Sequence, residues 1–136
     1  MNTFKDATTE EINAIMEQSW NAFETYRTFS LQQRAGFMHA IATALGSISE
    51  AVVAAAMKET HLPEPRLNNE LTRTIFQLNS YADACKQGNW IEARIDTAIT
   101  ERNPSKPDLR KMLVPLGPVV VFGASNFPFA YSTAGG

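Results

Sequence analysis

The chain has 136 residues, enough for one domain or part of one, and a complete domain of this size buries roughly 70% of its unfolded surface. A hydrophobic content of 44% with 19% charged residues excludes wholesale disorder, and a net charge of −2 with a pI of 5.7 leaves no electrostatic footprint for nucleic acid or an anionic membrane. The polar start MNTFKDATTEE lacks the basic lead and apolar core of a signal peptide and no stretch approaches the roughly 18 apolar residues of a membrane span, so a soluble, cytoplasmic protein is expected.

Thr8 followed by Glu11 forms a capping-box pattern ahead of Ile12, Ile15, Met16, Trp20 and Phe23, which recur at helical spacing and predict a first helix with a core-facing stripe. Ser30 with Gln33 repeats the device. Phe37, Met38, Ile41, Ala42 and Leu45 then make the expected buried stripe of a second helix, with Gly46 as its C-cap. A third helix is predicted from about Ser49 to His61, where an alanine-rich face suits close packing and Pro63 and Pro65 forbid continuation.

From Arg66 to about Lys86, Leu67, Leu71, Ile75, Leu78, Tyr81, Ala82 and Cys85 describe a long fourth helix closed by Gly88. Cys85, the single cysteine, falls on that apolar stripe. A thiol placed there is expected to be buried and inert, and no internal disulfide can form. His39 and His61 stand at no metal-ligand spacing and read as ordinary polar positions.

After Trp90, Ile91, Ile95 and Ile99 with interleaved charges fit extended structure or a short helix. Residues 103–108 are a turn or linker by composition, and 109–114 is an expected edge strand carrying Arg110 and Lys111. Three segments follow: a helical part over 1–90, an extended segment and linker over 91–114 with possible oligomerisation strands, and a strand-turn-helix unit over 115–136.

That last unit carries the chemistry. Val119, Val120, Val121 and Phe122 form an apolar, β-branched run suited to a strand buried on both faces of a parallel sheet. A turn at Gly123, Ala124, Ser125 and Asn126 comes next, and Pro128 suits the first turn of a helix. In open α/β sheets such a turn lies where ligands bind. A neutral carboxamide there can donate to a developing oxyanion without entering proton transfer. Asn126 serves equally well, on spacing alone, as a cap for the following helix.

GASNFP after a valine-rich strand and the PLGPV lead-in resembles the aldehyde dehydrogenase superfamily, with its G-V-x-x-x-I-x-P-W-N-F-P pattern. QQRAGFMHAIATAL, MKETHLP and NELTRTIFQLNSYADA resemble helical segments of the same family, in the same order. The resemblance implies an α/β fold, with N-terminal helices followed by the first strands of a Rossmann-type cofactor domain that is incomplete in this chain. It implies that Asn126 donates to the oxyanion of a thiohemiacetal, and that Phe122, Gly123, Ala124 and Ser125 run along an NAD or NADP cofactor. Ala124-Ser125 stands where many members have Pro-Trp, a variant associated with the α-ketoglutarate semialdehyde (2,5-dioxovalerate) branch.

In the family the thiolate nucleophile and the water-activating Glu lie beyond the point corresponding to Gly136, so the chain alone is expected to be inactive. The implied partners are a small aldehyde and, for the strands of 109–136, the remainder of the enzyme or another copy in a homo-oligomer. The competing expectation is a stand-alone helical interaction module, with Val119–Phe122 as a docking strand and Asn126 only a cap.

Overall fold

A computed structural model describes residues 5–133. The outermost parts of the expected 1–90 and 115–136 segments, residues 1–4 and 134–136, lie outside the described residues. The chain divides into two compact units, one holding the first helix and Pro115–Val120, the other holding Ser30–Val114 and the chain from Val121 onward.

In the first unit, α1 (Thr9–Tyr26) opens on the predicted capping box. Thr8 Oγ1 accepts the Glu11 N–H at 3.2 Å while Glu11 Oε2 accepts the Thr8 N–H at 2.8 Å. Its apolar stripe is not core: no residue of α1 is buried, and Ile12, Ile15, Met16 and Trp20 all remain exposed. A helix buries a stripe only where another element covers it. Among the described residues of this unit, the Pro115–Val120 segment lies with α1, and its Gly117 (φ 120°) comes so close that a Cβ there would sit 3.3 Å from the Trp20 ring.

The second unit is built on α4 (Glu64–Gln87), against which lie α2 (Leu31–Ser47), α3 (Ser49–Thr60) and α5 (Ala130–Thr133). The helix begins two residues ahead of the expected Arg66, because Pro65 occupies its first turn, where a missing N–H costs nothing. His61, in the left-handed region at φ 59°, ends α3 as expected. Val53, Ala56, Leu67 and Leu71 form one buried cluster; Ala35, Ala82 and Cys85 form another. Fully burying a leucine such as Leu67 contributes about 1.5–3 kcal/mol.

The second helix corrects its expected stripe. Phe37 and Ile41 are exposed, and the buried residues are the small Ala35 and Ala42, which let α2 approach α4 closely. Gly46 does not cap it; the helix runs to Ser47 and is capped at Ile48, from which α3 starts at once. On α4, Leu67, Leu71, Leu78, Ala82 and Cys85 are buried as the spacing predicts, whereas Tyr81 is exposed.

Gly88, at φ 72°, closes α4, and a 3₁₀ turn at Asn89–Ile91 leads to β1 (Arg94–Asp96). That strand pairs antiparallel with β2 (Leu109–Lys111) in the register Arg94 with Lys111, Ile95 with Arg110 and Asp96 with Leu109. The ladder is extended by an Ile99–Lys106 bridge, and Lys106 is ion-paired with Asp96. Residues 91–99 therefore contain extended structure after one helical turn, and the 109–114 strand is shorter than expected. The part of 109–136 that pairs does so within the chain.

No parallel sheet is present among the described residues, and the strand expected at Val119–Phe122 is not formed. These residues carry no ladder, and Phe122 is 90% exposed. Among the described residues no strand lies beside them to supply a ladder.

Candidate functional site

The turn is built from contacts that α4 makes with the chain 60 residues later. Ala124, Ser125, Asn126 and Phe127 form a β-turn in which the Phe127 N–H donates to the Ala124 carbonyl at 3.0 Å. Arg66 Nη2 donates to the Asn126 carbonyl at 2.8 Å, and the Arg66 guanidinium lies over the Phe127 ring, 5.4 Å from its centroid. The Phe127 ring stacks in turn on Tyr131 at 5.0 Å. One guanidinium thus holds both the main chain of residue 126 and the ring of residue 127.

Glu70, one turn further along α4, takes the head of α5. Its Oε1 accepts the N–H groups of Phe129 and Ala130, both at 2.9 Å. These are the donors that a helix start leaves without an intrahelical partner. The residue is 7% exposed, and its other oxygen, Oε2, is buried without a hydrogen-bond partner among the described residues. Arg66, Asn69, Glu70, Arg73 and Phe127 line an open depression of about 220 Å³ beside the turn.

The predicted site residues fall together on this loop. Asn126 is exposed, and its carboxamide makes no hydrogen bond among the described residues. The helix-start N–H groups at Phe129 and Ala130 are held by Glu70, so the geometry differs from the alternative in which Asn126 caps the following helix. Phe122 and Ser125 are exposed, Ala124 is half-buried, and Gly123 passes so close to α5 that a Cβ there would lie 2.7 Å from Ser132 Oγ. The N–H groups of Phe122–Ser125 make no hydrogen bond among the described residues. Cys85, by contrast, is buried with its Sγ 3.7 Å from the Leu31 carbonyl.

Sequence reasoning missed Arg66 and Glu70. A signal for Glu70 was available: it lies three residues after Leu67 and four before Thr74, on the inward stripe, where an acid must find a partner. Arg66 carries no comparable signal.

The profile of the aldehyde dehydrogenase family matches residues 1–135. The chain is 42% identical over 134 residues to an alpha-ketoglutaric semialdehyde dehydrogenase of Acinetobacter baylyi, and equally to alpha-ketoglutaric semialdehyde dehydrogenase 2 of Azospirillum brasilense. Each alignment covers 98% of this chain and 26% of the relative, so the chain spans about a quarter of the length of these curated relatives. With a match along nearly its whole length, including the N-F-P turn held by α4, the chain belongs to the aldehyde dehydrogenase family.

Proposed function

We propose that this chain provides the oxyanion donor and one wall of the cofactor cleft of an NAD(P)-dependent aldehyde dehydrogenase, which converts an aldehyde and water to a carboxylate. Asn126 donates from its side-chain amide to the oxyanion of the thiohemiacetal. One observation carries this reading: an exposed carboxamide, committed to no partner among the described residues, on a turn whose main chain is held at Asn126 by Arg66 and just after it by Glu70. A donor held in place before the charge develops stabilises it without reorganising at the moment of reaction.

The Phe122–Ser125 backbone fits the edge of a nicotinamide cofactor. Its amides are uncommitted among the described residues. When bound, the cofactor supplies the hydride acceptor. Cys85 is buried and directed at a backbone carbonyl, so it is not the nucleophile. The nucleophilic thiol and the water-activating carboxylate come from outside these residues, and the chain alone is inactive. In the whole enzyme Val119–Phe122 becomes a strand of a parallel, Rossmann-type sheet, and the assembly is a homo-oligomer. The names of the two relatives make α-ketoglutaric semialdehyde the first aldehyde to try.

The test is a full-length chimera in which this chain replaces the matching quarter of the Acinetobacter baylyi relative. It should reduce NAD(P)+ with that semialdehyde, and Asn126→Ala should lower kcat by about 10²- to 10³-fold while cofactor affinity holds. Equal losses in turnover and cofactor affinity would overturn the oxyanion role.

A further inference from the structure

We propose that Glu70 is the positioning residue of the Asn126 turn: its Oε1 takes over the capping of α5 and so keeps the Asn126 carboxamide available to substrate. This rests on the oxyanion reading of Asn126. The reason lies in what asparagine does when left to itself. An Asn three residues ahead of a free N–H is at the usual spacing for an N-cap, and its side chain accepts that bond readily. Asn126 stands three residues before Phe129 and four before Ala130. Both N–H groups are already held at 2.9 Å by Glu70 Oε1. With no donor left to claim, the carboxamide stays exposed.

The cost of this arrangement also points to a purpose. Glu70 sits on the buried face of α4 between Leu67 and Leu71, where its neighbours on the stripe are apolar and its carboxylate is kept for the two N–H groups of α5. The carboxylate leaves Oε2 buried and unpartnered among the described residues, which is destabilising. Residues that break a local rule in this way concentrate at functional sites. Arg66, one turn earlier on the same helix, holds the carbonyl of Asn126 itself. The main chain is therefore pinned at 126 and again at 129–130, while the Asn126 side chain is left unheld.

Two measurements on Glu70→Ala and Glu70→Gln test the proposal. In the 136-residue chain carrying Val119→Lys and Val121→Lys to keep it monomeric, Glu70→Ala should shift the Asn126 side-chain NH2 resonances as the carboxamide folds back onto Phe129, whereas Glu70→Gln, which keeps an acceptor oxygen, should leave them in place. In the full-length chimera, Glu70→Ala should lower kcat roughly 10- to 100-fold, the range that misplacing a catalytic group produces, with cofactor KM unchanged. Glu70→Gln should retain most of the turnover, and it keeps the test decisive where the alanine variant does not fold. The double variant Glu70→Ala/Asn126→Ala should be no slower than Asn126→Ala alone.

Additive losses in the double variant, or unchanged NH2 resonances in a folded Glu70→Ala chain, would overturn the proposal by leaving Glu70 a merely structural acid. If Asn126→Ala itself leaves turnover intact, the oxyanion reading falls, and the catalytic meaning of the clamp falls with it. The NMR shift still reports whether the clamp exists, so the two failures are distinguishable.

Discussion

Gly123 shows how a single atom can serve two demands at once. It precedes the turn and is a candidate for backing the cofactor, yet it also lets the chain pass α5 at a distance where a Cβ would have to push the Ser132 hydroxyl aside. Gly123→Ala should destabilise the chain by about 0.5–1.5 kcal/mol, the worth of one hydrogen bond, because the new methyl meets the exposed Ser132 Oγ and turns it away from the Pro128 carbonyl. Ser132→Ala removes that oxygen and leaves only the Ser132 Cβ, 3.9 Å away. The double variant loses the same bond only once, so it should be no less stable than Gly123→Ala alone in urea unfolding, and additive losses would refute the close approach. The folded double variant then isolates any loss in cofactor binding. Asn126 could be picked out from its residue type and place in the turn as a candidate donor or, equally, a helix cap, but its freedom from capping could not. That freedom depends on Glu70, 56 positions earlier, and no local pattern encodes such a distance.

At the scale of elements, the helix starts were readable because their hydrogen bonds close within three residues. Both predicted capping boxes are present, Thr8 with Glu11 and Ser30 with Gln33. The buried faces were readable only where a second element exists to bury them, so α4 matches its pattern while α1 and much of α2 do not. Ser30 opens the helix that packs along α4, with its Oγ accepting the Gln33 N–H at 3.2 Å and its own N–H donating to Gln33 Oε1 at 2.9 Å. Ser30→Ala should accordingly lower stability by about 1 kcal/mol, seen as a lower urea midpoint at unchanged slope. Thr8→Ala breaks the same device on a helix with no buried residue. It should instead appear as lost helicity in α1 by amide exchange, with early fraying from residue 9. A matching urea shift for both variants would show that the cap, and not the packing behind it, sets the cost.

At the scale of the whole molecule, the segment with the sharpest motif is the one with the least cover. Met112, Val114, Leu116, Val119, Val120 and Phe122 are all more than 60% exposed, and Leu116 reaches 95%. The composition of 119–122 pointed to a strand buried on both faces, and among the described residues it is neither paired nor buried. What the described residues lack is the neighbour, since a parallel ladder is assembled from elements far apart in sequence. Apolar backbone with unspent N–H and C=O groups is a template for pairing, so the 136-residue chain should associate with itself at micromolar concentration, the regime in which such surfaces aggregate. Val119→Lys with Val121→Lys places charge on the strip without touching α4 or the caps, and should shift sedimentation toward the monomer while the far-UV signal of the helices persists. In the chimera the same pair should be severely destabilising, because the strip is then covered and two lysines have no water to reach. A chain that stays monomeric at high concentration with the wild-type strip, or a chimera indifferent to the two lysines, would mean that this run is an exposed linker and not a strand awaiting its sheet.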